Sequence, residues 1–218
     1  MTSGAPRDPS AVAPLEGGGE PSAWIARWTH LVAPNGAVLD IAAGSGRHAR
    51  WFASRGASVL AIDRDAEALA SMHACAGVET LTADIEGAPW PIPAHRTFDA
   101  VVVTNYLHRP LFGHLIDALA PGGVLIYETF ATGNGSIGKP SNPAFLLQPG
   151  ELLDAVRGRL RVVAYEDGFV DNPRAAYVQR ICAVRERQAA DASAQTALTL
   201  EDTTGNTPPG PPRYALSG

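Results

Sequence analysis

The stretch from Val38 to Trp51 reads VLDIAAGSGRHARW, and it decides the fold class. An apolar run carries the acidic residue Asp40 near its end, and two glycines, Gly44 and Gly46, precede a basic segment with helical spacing. This order predicts a buried strand, a tight turn and the beginning of a helix. Such a turn allows the backbone to approach a ligand at the carboxyl end of the strand.

The same alternation continues along the chain and predicts an α/β fold with a mostly parallel sheet and helices on both faces. The predicted strands are AVLDI, ASVLAI, VETLT, FDAVVVT and GVLIYETF. The predicted helices span Ser45 to Arg55, Asp65 to Ala74 and Gly113 to Ala120, and a short amphipathic helix follows Pro21 and Ser22. Near-continuous apolarity of the strands is typical of a sheet that is covered on both sides.

An irregular loop, Ala131 to Gln148, follows the fifth strand and contains Lys139, the only lysine of the chain. Its length favours either a mobile lid or a floppy connection. A helix then begins near Pro149, and two strand-like runs joined through DNP predict an antiparallel hairpin at the edge of the sheet.

Composition limits the class of protein. Residues 1–20 and 188–218 are rich in small residues and proline and are predicted to be disordered tails around one domain, residues 21–187. The net charge of −5 disfavours a nucleic-acid partner. Two distant cysteines and no long apolar stretch predict a cytoplasmic protein without a disulfide framework, a metal cluster or a membrane span.

The glycine turn admits two classes of cofactor. Gly44, Gly46 and Ala49 match G-x-G-x-x-A, and Asp63 lies nineteen residues after Gly44, where its carboxylate can accept hydrogen bonds from ribose hydroxyls. Both NAD and S-adenosylmethionine contain such a ribose. Asp40 favours S-adenosylmethionine, because a carboxylate there suits an ammonium or sulfonium better than a pyrophosphate. The alternative role of Asp40 is a helix or turn cap.

Five stretches in this order resemble the class I S-adenosylmethionine-dependent methyltransferases, and in particular the small bacterial, tellurite-resistance-type members. They are VLDIAAGSGRH, VLAIDRD, LTADIEG, FDAVVVTNYLHRP and LAPGGVLIYETF. The resemblance implies a three-layer Rossmann-like fold with a seven-stranded sheet whose last strand is antiparallel. It also implies S-adenosylmethionine as cofactor and S-adenosylhomocysteine as product. Ala42 departs from the family, which often has glycine there.

The resemblance also implies site residues. Around the methionine half of the cofactor it places Asp40, Ala42, Gly44 and Gly46. Arg47 opens the helix after the turn, where its guanidinium and the positive helix end could bind the methionine carboxylate. Asp63 would hold the ribose, Arg64 would flank the adenine, and Asp84 and Ile85 would read the adenine edge. The residues that would lie between cofactor and substrate are Asn105, Tyr106 and Leu107.

Each candidate has a simpler interpretation as well. Asp84 can be a solvated loop carboxylate, Tyr106 can belong to the core, and Arg47 and His48 can be idle residues of an exposed first turn. His108 and Tyr106 are the catalytic candidates, with His108 as an optional base or as a packed helix residue. Arg109 can hold an anionic substrate or a surface carboxylate.

The acceptor is the least specified part. No N-P-P-[YF] run follows the fourth strand, which favours a small molecule over adenine or glutamine nitrogen. The remaining alternatives are an RNA methyltransferase, a catalytically silent adenosyl-ligand-binding protein and an NAD(P)-dependent oxidoreductase. The sequence leaves the oligomeric state open.

Overall fold

The computed structural model describes residues 19–187 and 214–216. Its centre is a seven-stranded sheet with strand order β3-β2-β1-β4-β5-β7-β6. The strands are β1 (Ala37–Ile41), β2 (Ser58–Asp63), β3 (Val78–Thr82), β4 (Phe98–Thr104), β5 (Leu119–Phe130), β6 (Arg161–Val170) and β7 (Ala176–Val184). Strand β7 runs antiparallel to the other six strands, which are parallel to one another. The fold class predicted from the sequence is therefore confirmed.

Helices cover both faces of the sheet. They are α1 (Ala23–Trp28), α2 (Arg47–Ala53), α3 (Ala66–Ala70), α4 (Phe112–Asp117) and α5 (Glu151–Val156). Buried residues of α1, α2 and α3 pack in one hydrophobic cluster, and those of α4 and α5 pack in another on the opposite face. Successive residues of β1 alternate between these clusters, since Val38 belongs to the first and Leu39 to the second.

The helices are shorter than the sequence pattern predicts, and local chemistry explains where they begin and end. Helix α2 begins after Gly46, whose φ of 80° is not helical. Helix α3 begins after Asp65, whose side chain accepts hydrogen bonds from the backbone N–H groups of Glu67 and Ala68. Helix α4 ends at Asp117, because β5 begins at Leu119. The sequence pattern predicts a later start for this strand, at Gly123.

The closing hairpin has the predicted antiparallel pairing, and it places β6 at the edge of the sheet. Strand β7 fills the position between β5 and β6, so that Glu128 of β5 lies directly opposite Arg180 of β7. These two side chains form an ion pair that is largely shielded from solvent.

The predicted tails lie mostly outside the described residues. Of the predicted tail at 188–218, only Tyr214, Ala215 and Leu216 are described, and they lie against α1 and the turn after it. Arg27 donates a hydrogen bond to the Leu216 carbonyl, and a ring nitrogen of His30 lies 3.1 Å from the Ala215 carbonyl. Within residues 19–187 and 214–216, no helix has the length and apolarity that a membrane crossing requires.

Candidate cofactor site

A cavity of about 490 Å³ opens at the carboxyl ends of the parallel strands. We call the residues that end or follow β1, β2 and β3 its β3 end, and the residues that end or follow β4 and β5 its β5 end. The β3 end is lined by Ala42, Asp63, Arg64, Ala83, Asp84, Ile85 and Glu86. The β5 end is lined by Asn105, Tyr106, Leu107, Thr129, Phe130, Pro140 and Phe145. An open α/β sheet binds its ligands in this position.

The structure brings most of the predicted site residues to this one cavity. Those in its lining are Ala42, Asp63, Arg64, Asp84, Ile85, Asn105, Tyr106 and Leu107. Four predicted cofactor residues, and the candidate base, lie outside the lining: Asp40, Gly44, Gly46, Arg47 and His108. Four of these five belong to the end of β1 and the turn and helix that follow, so they lie behind the cavity wall or beside it.

The turn after β1 adopts backbone conformations that favour glycine. Gly44 has a φ of +53°, and a side chain there would project into open space, so the turn leaves room for a ligand. Gly46 has a φ of +80°, and a Cβ there would clash with the Met72 side chain. Ala42 adopts a φ of +53° without being glycine, which is a strained conformation of the kind found at ligand sites.

Asp63 ties the end of β2 to the glycine turn. Its Oδ2 accepts a hydrogen bond from the Gly44 N–H at 2.8 Å, and its Oδ1 accepts one from the Asp65 N–H at 2.9 Å. A carboxylate has about four acceptor positions, so two remain for a ligand. The carboxylate is thereby held in one orientation at the cavity wall, as a partner for two vicinal hydroxyl groups requires.

Asp84 is positioned in the same way at the end of β3. Its Oδ1 accepts hydrogen bonds from the backbone N–H groups of Glu86 and Gly87, and these lower the pKa of Asp84, with smaller contributions from Arg64 and His108. The carboxylate is therefore an acceptor at physiological pH. Its Oδ2 makes no hydrogen bond within the described part of the chain and suits an amino-group donor.

Asp40 is buried and lacks a full set of partners. Burial raises the pKa of Asp40 to about 7; the Ala49 backbone N–H and the Arg47 guanidinium oppose this shift, and Asp63 adds to it. Its Oδ2 has no hydrogen-bond partner within the described residues. The contact with Ala49 agrees with the simpler interpretation of a helix cap. The unpartnered oxygen also calls for a donor or a cation, which the ammonium of a methionine group would supply.

A polar network fastens helix α1 behind the cavity. The Ser22 N–H donates to His48 Nε2 at 3.2 Å, so Nδ1 carries the proton and donates to Thr104 Oγ1 at 3.3 Å. The Ser22 hydroxyl donates to Glu128 Oε1 at 2.7 Å. Burial lowers the pKa of His48 to about 3, so the ring is neutral. His48 is thus neither idle nor exposed, and Glu128 is turned away from the cavity that the neighbouring Thr129 lines.

The loop at residues 131–148 is held at several points along its length. Arg109 forms an ion pair with Glu151 at 2.6 Å and donates to the carbonyls of Ala144 and Leu146. The Asn134 amide donates to the Pro140 carbonyl at 3.0 Å, which fixes the part of the loop that reaches the cavity.

Two further side chains hold the end of the loop. Thr132 donates to the Leu147 carbonyl, and the fully buried Gln179 donates to the Gln148 carbonyl. The loop is therefore an anchored wall of the β5 end. Of the two interpretations of Arg109, the structure shows the one in which it binds a carboxylate.

Of the two catalytic candidates, Tyr106 is not in the state of a general base. Burial raises the pKa of the Tyr106 phenol, and Glu86 raises it further, so the hydroxyl remains protonated at physiological pH. The hydroxyl is buried without a partner within the described residues, and the Tyr127 hydroxyl holds its backbone carbonyl at 2.8 Å. His108 is half-buried and stands next to the cavity lining, on the side of Asp84. The catalytic roles of Tyr106 and His108 stay predictions.

Sequence reasoning missed several lining residues: Ala83, Glu86, Phe130, Pro140 and Phe145. The sequence does carry a signal for Phe130, because it is the last residue of a predicted strand and ligands bind at the carboxyl ends of such strands. Pro140 and Phe145 carry no such signal, because their place depends on the side chains that anchor the loop. Within the described residues, no group of three or more potential ligands has the arrangement of a metal site.

The fold and the site together define a class. A carboxylate at the end of β2, another after β3 and a glycine turn after β1 fit an adenosine ligand, and the buried acidic residue of β1 fits the methionine half of S-adenosylmethionine. The fold is therefore the Rossmann-like fold of the class I S-adenosylmethionine-dependent methyltransferases, as the sequence motifs predict.

The comparisons with known proteins agree. Residues 38–123 match the methyltransferase domain family. TehB from Haemophilus influenzae has a similar structure, with 16% identity and a TM-score of 0.61 over 72% of this chain and 60% of that one. An S-adenosylmethionine-dependent methyltransferase from Mesorhizobium loti has 21% identity and a TM-score of 0.56, over 75% of this chain and 99% of that one.

A third similar structure is the glycopeptide N-methyltransferase MtfA in complex with S-adenosylhomocysteine. It has 19% identity and a TM-score of 0.51, over 72% of this chain and 86% of that one. This chain spans 60% of the length of TehB, less than of the other two proteins. No sequence among the curated proteins gives a significant match.

Proposed function

We propose that this protein transfers the methyl group of S-adenosylmethionine to a small molecule. The observation that carries the proposal is a single cavity, of about 490 Å³, that runs from an acidic β3 end to an uncharged β5 end. This volume lies within the range of about 300–1,000 Å³ that is usual for small-molecule sites. The cofactor would occupy part of it, and the anchored loop bounds the rest, so the space for the acceptor suits a small molecule.

The strand order gives the cofactor a direction across the sheet. With β3, β2, β1 and β4 as successive neighbours, Asp84 and Ile85 would hold the adenine, Asp63 the ribose, and Ala42 and Gly44 the methionine part. Arg64 would flank the adenine. Asp40 would pair with the ammonium through its unpartnered oxygen, and Arg47, at the first turn of α2, would take the methionine carboxylate.

The cofactor supplies a methyl group on a positively charged sulfur, which leaves as a neutral thioether. The residues of the protein then have the task of aligning the acceptor in line with the methyl group and the sulfur. Asn105, Tyr106 and Leu107 lie where β4 ends, beside the position of the methionine part, and are our candidates for this alignment. Asn105 has a φ of +54°, so its backbone is constrained at this point.

Calorimetry with S-adenosylmethionine and S-adenosylhomocysteine tests the first half of the proposal, with NADH as the comparison. We expect both adenosyl ligands to bind and NADH not to bind. Binding of NADH alone would overturn the proposal. Formation of S-adenosylhomocysteine with a small-molecule fraction of a cell extract, and not with its RNA fraction, tests the second half.

We also propose a cytoplasmic location. Cys182 is fully buried and Cys75 is partly buried, and neither forms a disulfide within the described residues. Free cysteines are usual in a reducing compartment. Fractionation of cells that express the full chain should recover it with the soluble cytoplasmic marker proteins.

A further inference from the structure

The lining of the cavity carries more negative than positive charge. Three of the described lining residues are carboxylates, Asp63, Asp84 and Glu86, and one is a cation, Arg64. Backbone N–H groups hold Asp63 and Asp84 in orientations that suit the proposed cofactor contacts. The Glu86 side chain, by contrast, forms no ion pair within the described residues. Glu86 is therefore the lining carboxylate that the proposed cofactor contacts do not use.

Glu86 acts on the β5 end of the cavity as well as on its own. Burial raises the pKa of the Tyr106 phenol, Glu86 raises it further and Asp84 adds to the shift, while Arg64 opposes it. The Glu86 carboxylate thus lies near the Tyr106 hydroxyl, which is buried and has no partner of full hydrogen-bond geometry within the described residues. The behaviour of this phenol shows the local electrostatics: a negative charge is unfavourable beside Glu86, and a positive charge is favourable.

The charge of the acceptor during methyl transfer depends on the acceptor atom. A thiolate or a phenolate is negative before the transfer and neutral after it, so it must first bring a negative charge to the place beside Glu86. An uncharged nitrogen instead takes over the positive charge of the cofactor sulfur while its bond to the methyl carbon forms. A carboxylate next to the acceptor attracts this developing charge and repels an anion. Glu86 therefore favours a nitrogen acceptor.

The protonation state limits the kind of nitrogen. Alkyl amines have a pKa of about 10.4, so they are cations without a free lone pair at neutral pH, and a nearby carboxylate keeps them protonated. A ring nitrogen of the imidazole type has a pKa of about 6.5 and retains its lone pair at neutral pH. The acceptor nitrogen should therefore belong to an aromatic system.

The walls of the β5 end suit an aromatic body. Phe145 is 51% exposed although it is a large hydrophobic residue, and it lies at the cavity on the anchored loop. Phe130, Leu107 and Pro140 line the same end. An exposed aromatic side chain on a fixed wall is unfavourable in water, and an aromatic ligand that covers it removes this cost.

From these features we infer that the acceptor is an uncharged aromatic molecule whose nitrogen takes the methyl group, and that Glu86 is a catalytic residue that faces this nitrogen. This inference rests on the proposed methyltransferase function. The lone pair of the nitrogen forms a bond with the methyl carbon, and the bond between that carbon and the cofactor sulfur breaks with both electrons going to the sulfur. The products are S-adenosylhomocysteine and an N-methyl cation beside Glu86. Where the nitrogen carries a hydrogen, the cation then releases a proton to water.

The acceptor atom is tested with 4-methylaniline and 4-methylphenol, which differ in that atom alone, and with benzimidazole as a ring nitrogen. We expect S-adenosylhomocysteine to form with both nitrogen compounds, and kcat/KM to be at least about tenfold lower with the phenol at pH 7. Faster transfer to the phenol than to either nitrogen compound overturns the inference. If calorimetry shows no cofactor binding, the proposed function fails; if cofactor binds and neither nitrogen compound is methylated, only this inference fails.

The role of Glu86 is tested by Glu86→Gln, which keeps the size of the side chain and removes its charge. With 4-methylaniline, kcat should fall by about tenfold, because the developing positive charge loses its partner. With 4-methylbenzenethiol, whose anion Glu86 repels, kcat/KM at pH 7 should rise. The Kd of S-adenosylhomocysteine, in which the sulfur is uncharged, should stay the same. A merely structural role would lower both rates together, and that result would remove Glu86 from the acceptor site.

Glu67→Gln is the matched control, because Glu67 is an exposed residue in the first turn of α3 and lies outside the lining. It should leave both rates and the Kd unchanged. His108 stands next to the lining and is the competing candidate for contact with the acceptor. A tenfold loss of rate in His108→Gln together with an unchanged rate in Glu86→Gln would assign this contact to His108 and contradict the role of Glu86.

Phe145 provides the test of the aromatic wall. Phe145→Ala should raise KM for 4-methylaniline by about tenfold while the Kd of S-adenosylhomocysteine stays unchanged. Ile137→Ala is the matched control, because Ile137 is an exposed apolar residue of the same loop, 42% exposed, that lies outside the lining. It should leave both values unchanged. An equal effect of the two substitutions would show that Phe145 does not contact the acceptor.

Discussion

The two ends of the cavity are built in different ways. At the β3 end, the side chains end their strands or follow them closely. They are oriented by backbone N–H groups two or three residues away, or by the adjacent turn, as Asp63 and Asp84 are. At the β5 end, the wall is a long loop that side chains distant in sequence hold in place, Arg109 and Gln179 among them. Local geometry fixes the charged end, and tertiary contacts fix the uncharged end.

The largest expected effect is a loss of cofactor affinity from a substitution at the β3 end. Asp63→Ala removes the carboxylate from the glycine turn and from the proposed ribose contacts. Each charge-assisted hydrogen bond contributes about 1.5–3 kcal/mol at most, so the affinity for S-adenosylhomocysteine should fall by about a hundredfold. Isothermal calorimetry measures this change, and an unchanged Kd would show that the ribose lies elsewhere.

Asp65→Ala is the control for that substitution. Asp65 caps α3 through the N–H groups of Glu67 and Ala68 and lies outside the cavity lining. Its removal should lower the free energy of unfolding by about 1 kcal/mol and leave the affinity for S-adenosylhomocysteine as it is.

The next largest effect is a loss of stability from a substitution that releases the loop at the β5 end. Arg109→Ala removes the ion pair with Glu151 and two hydrogen bonds to loop carbonyls. Because Arg109 is partly exposed, solvent screening limits the loss to about 2 kcal/mol of unfolding free energy. Urea denaturation measures it. Proteolysis of the loop should become faster, while S-adenosylhomocysteine binding should change little.

Arg157→Ala serves as its control, because Arg157 forms an exposed pair with Asp154 and makes no hydrogen bond to the loop within the described residues. It should cost less than about 0.5 kcal/mol. If Arg109→Ala also weakened cofactor binding by tenfold or more, the two ends would not be independent.

The same difference explains what the sequence can predict. The alternation of strands and helices, the antiparallel closing hairpin and the cavity positions of Asp63, Asp84 and Asn105 follow from motifs at fixed distances from strand ends. The positions of Phe145 and Pro140 depend on Arg109 and Asn134, which hold the loop through hydrogen bonds to backbone carbonyls. Every residue type has such a carbonyl, so the sequence of the loop does not reveal the contact. No local pattern encodes such a contact. His48 shows the same limit, because its burial depends on Ser22, 26 residues away.

A substitution of Asp40 should change the stability of the protein and its affinity for the cofactor in opposite directions. Its pKa of about 7 in the folded protein lies above the ordinary value of 3.8, so the folded state holds the proton more tightly than the unfolded state does. The contribution of Asp40 to stability is therefore full below pH 3.8 and is lost as pH rises through 7. Asp40→Asn removes this loss and should raise the unfolding free energy at pH 8, at about 1.4 kcal/mol for each unit of pKa difference.

The same substitution should weaken S-adenosylmethionine binding, because the amide cannot pair with the ammonium as a charge. Thermal unfolding of the protein without cofactor, from pH 5 to 8, compares the two forms, and the difference should grow with pH. An asparagine can still accept the hydrogen bond from Ala49. Lower stability of Asp40→Asn at pH 8 would show that the charged carboxylate itself is needed in the cap.

The smallest effect compares one strained residue from each end. Ala42 and Asn105 have nearly the same left-handed φ, +53° and +54°. Alanine is unfavourable in this conformation, whereas asparagine adopts it more readily. Ala42→Gly should therefore raise the free energy of unfolding by about 1 kcal/mol, and Asn105→Gly should change it by less than about 0.5 kcal/mol. Chemical denaturation of both variants measures the difference, and equal shifts would mean that the surroundings, and not the left-handed backbone, decide the stability at these two positions.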